Sequence, residues 1–372
     1  MPPDHRTEQL LAYARDIGFD PVGVCRAEPA ATFPAFVDWL EETLRDGACR
    51  SMTWLVRHRD ARRHPAAVLH DVKSLIVVGL SYSTVNPTTH LSTTCPDGFG
   101  FVAEYARGLD YHNVMRTKLR QLAETHHVLF PGAKTRIAVD TAPLLEREYA
   151  ARAGLGQHGK NTMLINNRHG SRFFIGLLLS TADLNESFKT TARNVCVAAE
   201  EASDWLKTVT LSINRSLTFP AAVSCGDCRH CIDACPTGAL STPYRLDVGK
   251  CINYWSIEHP GNDIPHEIAV QFGNRLYGCD TCQSVCPFNR TGSKRTGIAG
   301  VSSAQAAILP DELTSRSLRE QLESGMMSLS QIENLDESEF QHQFAETPFM
   351  RLGLPHLKRN AAIVLKNTEP RS

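Results

Sequence analysis

Apolar residues along the first half of this chain recur at two spacings that alternate from segment to segment. Leu10, Leu11, Ala14 and Ile17 fall on one helical face and Gly18 follows as a stop, which predicts an opening amphipathic helix. A short strand is expected through Val22–Cys25, and a second amphipathic helix over 33–44. Residues 74–82, Ser-Leu-Ile-Val-Val-Gly-Leu-Ser-Tyr, form an apolar run of the kind found in buried strands. The basic stretch before it, Arg57-His58-Arg59 and Arg62-Arg63-His64-Pro65, reads as a solvated helix end. The Thr-, Ser-, Pro- and Asn-rich segment after it reads as a loop to about Gly100.

A long helix is predicted over Tyr111–His126, with Val114, Leu119, Leu122 and Ala123 as its core face. Thr135–Asp140 reads as a strand with an acid at its C-terminal end, 144–153 as a helix stopped by Gly154, and 162–165 and 173–180 as strands. This alternation predicts an α/β or α+β domain over 1–185. Residues 186–223 are polar and without period, an extended connection or insertion. A cysteine-rich module over 224–290 and a Gly/Ser/Thr-rich linker at 291–303 follow. Helical pairs then fill 304–372, with cores at 329–335, 340–345, 349–352 and 357–365 that could form short α-solenoid units.

The length of 372 residues accommodates two or three domains. A net charge of −1 advertises no global basic field, although a local patch suffices for phosphate contacts. No apolar run approaches the ~20 residues of a membrane span, and the first residues carry neither a secretory core nor a twin-arginine pair. A cytoplasmic, membrane-free protein is expected.

Eight of the twelve cysteines change the picture. Cys225, Cys228, Cys231 and Cys235-Pro236 form the C-x2-C-x2-C-x3-C-P run of bacterial ferredoxins, in which the fourth thiolate crosses to the other cluster. Cys279, Cys282 and Cys286-Pro287 form the second block, with Cys251 between. Crossing assigns Cys225, Cys228, Cys231 and Cys286 to one [4Fe–4S] cluster, and Cys279, Cys282, Cys251 and Cys235 to the other. Two zinc ribbons are the alternative, but three cysteines at successive two-residue gaps suit one poorly. Cys25, Cys49, Cys95 and Cys196 have no partner spacing and read as buried or incidental thiols.

Clusters pass electrons, and two segments bear on what receives them. Asp140, at the mouth of a predicted strand and before a helix, stands where a general acid often stands; an N-cap for the helix at Pro143 is the competing reading. The loop Ala153-Gly154-Leu-Gly156-Gln-His158-Gly159-Lys160-Asn161-Thr162 nearly matches a nucleotide-binding P-loop, but Asn161 takes the place of the magnesium-binding hydroxyl. Nucleotide hydrolysis is rejected, and a glycine-rich loop approaching a large polar cofactor remains.

These residues carry a resemblance. Tyr105-Ala-Arg-Gly-Leu-Asp110-Tyr111-His112, Val139-Asp140 through Glu146-Arg147, the 153–162 loop with Gly170-Ser171, and the cluster blocks with Cys251-Ile-Asn-Tyr254 between them resemble the epoxyqueuosine reductase family. Phe344-Ala-Glu-Thr347-Pro348 and Arg359-Asn360-Ala361 resemble its tRNA-facing helical repeat. Gln157 departs from a usual aromatic, Leu177 from a usual glutamate, and the segment from Thr181 to Cys225 is longer than is typical.

The resemblance implies an α/β (α+β) cobalamin-binding domain, a bacterial ferredoxin-like two-cluster domain and a C-terminal α-helical, HEAT-like region. It implies reduction of epoxyqueuosine to queuosine in the tRNA anticodon loop through cobalt(I) cobalamin fed by two [4Fe–4S] clusters. In that scheme Asp140 is the proton donor, its pKa raised by burial so that it stays protonated. Arg62, Tyr105, His112, Lys160, Asn161 and Ser171 become candidates for the corrin, and Arg351, Lys358, Arg359 and Lys366 for the tRNA. An unidentified low-potential electron donor and a monomeric state are expected. A related dehalogenase-like reductase and a simple two-cluster electron carrier are the rival functions.

Overall fold

The computed structural model describes residues 3–45, 47, 51–82, 95–184, 225–289 and 316–368. The polar 186–223 segment, the linker at 291–303, Cys49 and Cys196 lie outside the described residues. Nine strands run in chain order as β1 (Val22–Arg26), β2 (Ser74–Ser81), β3 (Phe99–Val102), β4 (Thr135–Ala138), β5 (Gln157–His158), β6 (Leu164–Ile165), β7 (Phe173–Ser180), β8 (Arg275–Tyr277) and β9 (Met326–Ser328). The helices that matter here are α1 (Pro3–Asp16), α2 (Phe33–Arg45), α3 (Tyr111–Leu129), α4 (Glu146–Arg152), α5 (Arg316–Ser324), α6 (Leu329–Asn334), α7 (Glu337–Phe344), α8 (Phe349–Leu352) and α9 (Leu354–Thr368).

A four-stranded sheet of order β1-β2-β7-β4, antiparallel throughout, forms the first layer. The domain is therefore α+β. Its two central strands are apolar at almost every position because both faces are covered. Leu75, Val77, Leu177 and Leu179 point into a core with Phe33 and Tyr149 from α2 and α4. Ile76, Val78, Leu80 and Leu178 point the other way, onto Leu10, Ala14, Met115, Leu119 and Leu122 of α1 and α3. Leu177, the departure noted in the sequence, is fully buried among these apolar groups. Cys25 is buried there too, and no disulfide joins the ten described cysteines.

The second sheet, β8-β3-β9, joins three segments that are far apart in the chain. β3 pairs parallel with β8 just before Cys279 and antiparallel with β9 at the start of the helical pairs. The core on this sheet runs from Val102 and Ala106 through Leu276 and Tyr277 to Phe340, Phe349, Leu357 and Val364. The segments read as three successive domains thus share one core. Helices α6–α9 appear as the pattern predicted. No helix among the described residues is long and apolar enough to cross a membrane.

Buried polar contacts fasten the α+β layer to the cysteine module. Within the first domain Arg172 pairs with Glu104 at 2.9 Å, both side chains almost wholly buried, and the Glu104 N–H donates across to Asp280 of the module at 2.6 Å. Tyr82 and Ser171 hydroxyls both donate to the Gln283 amide oxygen, at 3.2 and 2.9 Å. Removing one member of a buried ion pair strands the other without water, so Glu104→Ala should cost about 3–5 kcal/mol. A urea midpoint unchanged from wild type would contradict this.

Candidate active site and cluster module

The eight motif cysteines collect into two groups. Burial pushes the Cys231 thiol up to about 11, and the neighbours that push it further are Cys225, Cys286 and Cys228. Cys251 is also raised to about 11 by burial, with Cys279 and Cys235 as its thiol neighbours, while Cys282 feels Cys279 and Cys251. Each group thus contains one thiol from the far block, as crossing requires. Among the described residues, no three ligand-type side chains converge where a single metal ion would be held.

The loop over 154–162 rests on this module. Gly154 adopts a left-handed φ of 81°, and Gly156 lies so close to the Ile165 carbonyl that an added Cβ would fall 2.5 Å from its oxygen. These glycines let β5 and β6 close as a tight hairpin. Lys160 Nζ donates to the carbonyls of Gly226 and Cys228 at 2.6 and 3.1 Å, and its backbone amide bonds to the Cys225 sulfur. Asn161 donates to the Cys282 carbonyl at 3.4 Å, and the Ser171 N–H to Asn289 at 2.7 Å. Three of the six corrin candidates are thus engaged by the cysteine module. Of four non-glycine residues with left-handed φ, Asp140, Thr162 and Tyr244 all adjoin this region.

Asp140 ends the turn after β4. The cap position of α4 is Leu145, with no capping side chain, so the N-cap reading of Asp140 does not hold. Its carboxylate accepts from the Tyr111 hydroxyl at 3.1 Å and lies 3.3 Å from His112 Nε2, while its N–H donates to Glu146 at 2.8 Å. His112 Nδ1 lies 2.7 Å from Asp110, and Asp110 is paired with Arg351 at 3.2 Å. His112 is 3% exposed and Asp140 61%, so the carboxylate is the open end of a chain buried behind it.

Electrostatics correct the expectation for Asp140. The hydrogen bond with His112 outweighs burial and holds its carboxyl below the usual range, so the free site keeps it ionised. Burial by itself would lower His112, but hydrogen bonds to Asp110 and Asp140 leave the imidazole above its ordinary value. Glu146 is the neutral acid of the cluster: burial, reinforced by the Asp140 charge, raises it to about 8. Arg147 beside them is solvent-reachable, yet desolvation is the main cause lowering its guanidinium. The buried, unpartnered Nε2 of His158 lies in the adjoining loop, in the field of Arg147. Charged and hydrogen-bonding groups beside an amide-rich loop, with a buried ring nitrogen left unpartnered, are a donor set that fits a large, polar-fringed ligand.

Of the other candidates, Arg62 lies in the field of Glu146 and Tyr105 in that of Tyr111. Arg62 is buried over the Phe36 and Trp54 rings and donates to the His58 carbonyl at 2.9 Å, so this basic stretch is not simply a solvated helix end. Tyr105 packs on Tyr277 near the second sheet. Arg359 donates to the carbonyls of His259, Gly261 and Trp255, which makes it a clasp inside the fold. Lys366 is exposed in the last turn of α9, and Lys358 is partly exposed on the same helix. Sequence reasoning gave no role to Asp110, Tyr111, Glu146 or Arg147, although all lie in the segments it singled out.

A family model described as epoxyqueuosine reductase QueG, DUF1730, matches residues 62–141, and one described as a 4Fe-4S double cluster binding domain matches 224–289. An epoxyqueuosine reductase of Xanthomonas campestris pv. campestris is 32% identical over 365 residues, covering 98% of this chain and 88% of that protein. In fold, the chain is similar to the Bacillus subtilis epoxyqueuosine reductase with its catalytic aspartate loop swung out of the active site, with TM-score 0.72, 24% identity, and 98% and 82% of the two chains covered. It is equally similar to an epoxyqueuosine reductase bound to an epoxyqueuosine-modified tRNA-Tyr stem loop, with TM-score 0.70, 24% identity and the same coverage.

Replacing Lys160 by Met removes the ammonium from both loop carbonyls. The reconstituted variant should lose iron from the cluster of Cys225, Cys228, Cys231 and Cys286 and keep the other, as read by iron content and electron paramagnetic resonance. Full retention of both signals would contradict a clamping role.

Proposed function

The chain belongs to the epoxyqueuosine reductase family, and from that premise we propose that it reduces epoxyqueuosine to queuosine in the tRNA anticodon loop with cobalamin and two [4Fe–4S] clusters. The observation that carries this reading is the hydrogen-bonded set Asp110–His112–Asp140, exposed at its Asp140 end, in a chain whose glycine-rich loop rests on the cysteine module. The reaction takes two electrons and two protons, breaks both carbon–oxygen bonds of the epoxide, and leaves an alkene and water. Bound cobalamin supplies reducing power at cobalt, fed one electron at a time by the clusters.

The residues of this chain handle the protons. The relay's proton store is His112, whose imidazole is held above its ordinary value by hydrogen bonds to two carboxylates. Substrate and corrin would exclude water from Asp140, which disfavours its charged form and draws that proton across the 3.3 Å contact. Asp140 Oδ2 then passes it to the epoxide oxygen, with the Tyr111 hydroxyl fixing the carboxylate's orientation. Glu146, neutral and bonded to the Asp140 N–H, is a source for the second proton. His158, Arg147 and the backbone of 154–162 would hold the corrin, with Arg62 in the field of Glu146 behind them.

Asp140→Ala and Asp140→Asn should retain clusters and cobalamin but lose about 10²–10⁴ in turnover, the usual worth of a general acid. Near-normal turnover in both would remove Asp140 from the mechanism. Because His112 is raised from 6.5, activity should be full below its folded pKa and fall as pH rises through it. A wild-type rate that falls only on the acid side of pH 6 would contradict His112 as the store.

For the tRNA, Lys358 and Lys366 on α9 are the candidates for phosphate contact. Each phosphate contact contributes about one unit to the dependence of log affinity on log salt. Lys366→Ala should therefore flatten the salt slope of tRNA binding by about one unit; an unchanged slope would exclude the contact.

A further inference from the structure

We infer that Arg351, together with the turn that carries it, is a positioning device through which the C-terminal helical region sets the acid site, and not a phosphate anchor. The inference rests on the proposed reaction and deepens it.

Asp110 is held from the C-terminal side twice. Its N–H donates to the Glu346 carbonyl at 2.7 Å, and its carboxylate pairs with the Arg351 guanidinium at 3.2 Å. The turn between these contacts is rigid. The Thr347 hydroxyl bonds back to the Phe344 carbonyl at 2.8 Å, and the Pro348 carbonyl accepts the buried Tyr277 hydroxyl at 3.2 Å. Asp110 divides its oxygens, one facing Arg351 and the other accepting the His112 N–H from the backbone and facing the ring at 2.7 Å. A shift of α8 must therefore move the carboxylate that aims His112 at Asp140.

The charges around His112 show what Arg351 contributes. Asp110 and Tyr111 share its helix, Asp140 faces it from the β4 turn, and Glu146 and Arg147 stand behind Asp140 on α4. Glu258 faces both Asp140 and Arg351 from the module between the cluster blocks. Among the groups that act on His112, Arg351 is the cation, and it opposes the two carboxylates that favour imidazolium. Asp110 is the other half of this balance: hydrogen bonds from His112 and the charge of Arg351 overcome burial and hold it at about 2. Removing Arg351 leaves both carboxylates acting on His112 unopposed, so its proton is held more tightly and is less precisely aimed.

The test uses reconstituted holoenzyme with epoxyqueuosine-containing tRNA and the variants Arg351→Ala and Arg351→Lys. Arg351→Ala should lower the single-turnover rate at saturating tRNA about tenfold, less than the loss of the acid itself. It should move the alkaline limb of the pH profile upward and leave tRNA affinity within about twofold, well short of the loss expected when a phosphate contact is removed. Arg351→Lys should recover part of the rate. Tighter KM dependence with a flatter salt slope, and an unchanged saturated rate and pH profile, would make Arg351 a phosphate anchor and overturn the proposal. A direct readout independent of turnover is hydrogen–deuterium exchange at the His112 ring carbon, followed by mass spectrometry. Its titration midpoint should rise in Arg351→Ala, and an unmoved midpoint overturns the proposal even if the wild type fails to convert the tRNA. Failure of the wild type alone would overturn the assigned reaction.

Discussion

Everything in this fold that concerns electrons follows from one constraint: each thiol group must take its last member from the opposite cysteine block. Cys286 has to return to Cys225, Cys228 and Cys231, and Cys235 has to reach Cys279 and Cys251. That crossing closes residues 225–289 on themselves. The strand that delivers Cys279, β8, is locked in turn between the cluster loop and β3. Because β3 leads into α3, which carries Tyr111 and His112, the geometry of the acid site is inherited from the geometry of the thiols. The buried Arg172–Glu104–Asp280 contacts and the Gln283 amide fix the same relation from the side of the first sheet.

Much of this was legible in the residues, for physical reasons that also explain what was not. β2 and β7 are long, and both faces are buried, so a continuous apolar run announces them. The C-terminal helices carry their period in local sequence. Strands β3, β8 and β9 are three or four residues long and exist only because distant segments meet, so no local pattern marks them. That sheet is why a serial division of the chain into domains misses the shared core of Val102, Leu276 and Phe349. Charge was the least legible property. Arg359 and Arg351 look like solvated helix residues in sequence, but one is spent on three backbone carbonyls and the other on Asp110.

The acid site shows why environment, more than residue type, assigns protons. Burial alone argues for a neutral Asp140, yet the hydrogen bond with the neighbouring imidazole outweighs it and lowers the carboxyl, while the same contact helps to raise His112. Glu146, six positions on and lacking such a partner, is the carboxyl that burial does neutralise. Two carboxyls in one turn thus differ in charge because only one of them meets His112. The backbone at Asp140, left-handed at φ 57°, is the cost of turning that carboxylate onto Tyr111 and His112 while its N–H binds Glu146.

The central claim is that electrons from two clusters and protons from this relay meet on one epoxide through a corrin. The most direct measurement is mass spectrometry of the nucleosides from epoxyqueuosine-containing tRNA, after anaerobic incubation with protein reconstituted with iron, sulfide and cobalamin and a strong reductant. Loss of one oxygen atom and appearance of queuosine are expected only when clusters and cobalamin are all present. Queuosine formed by cobalamin-free protein, or none formed by the fully loaded protein, would contradict it.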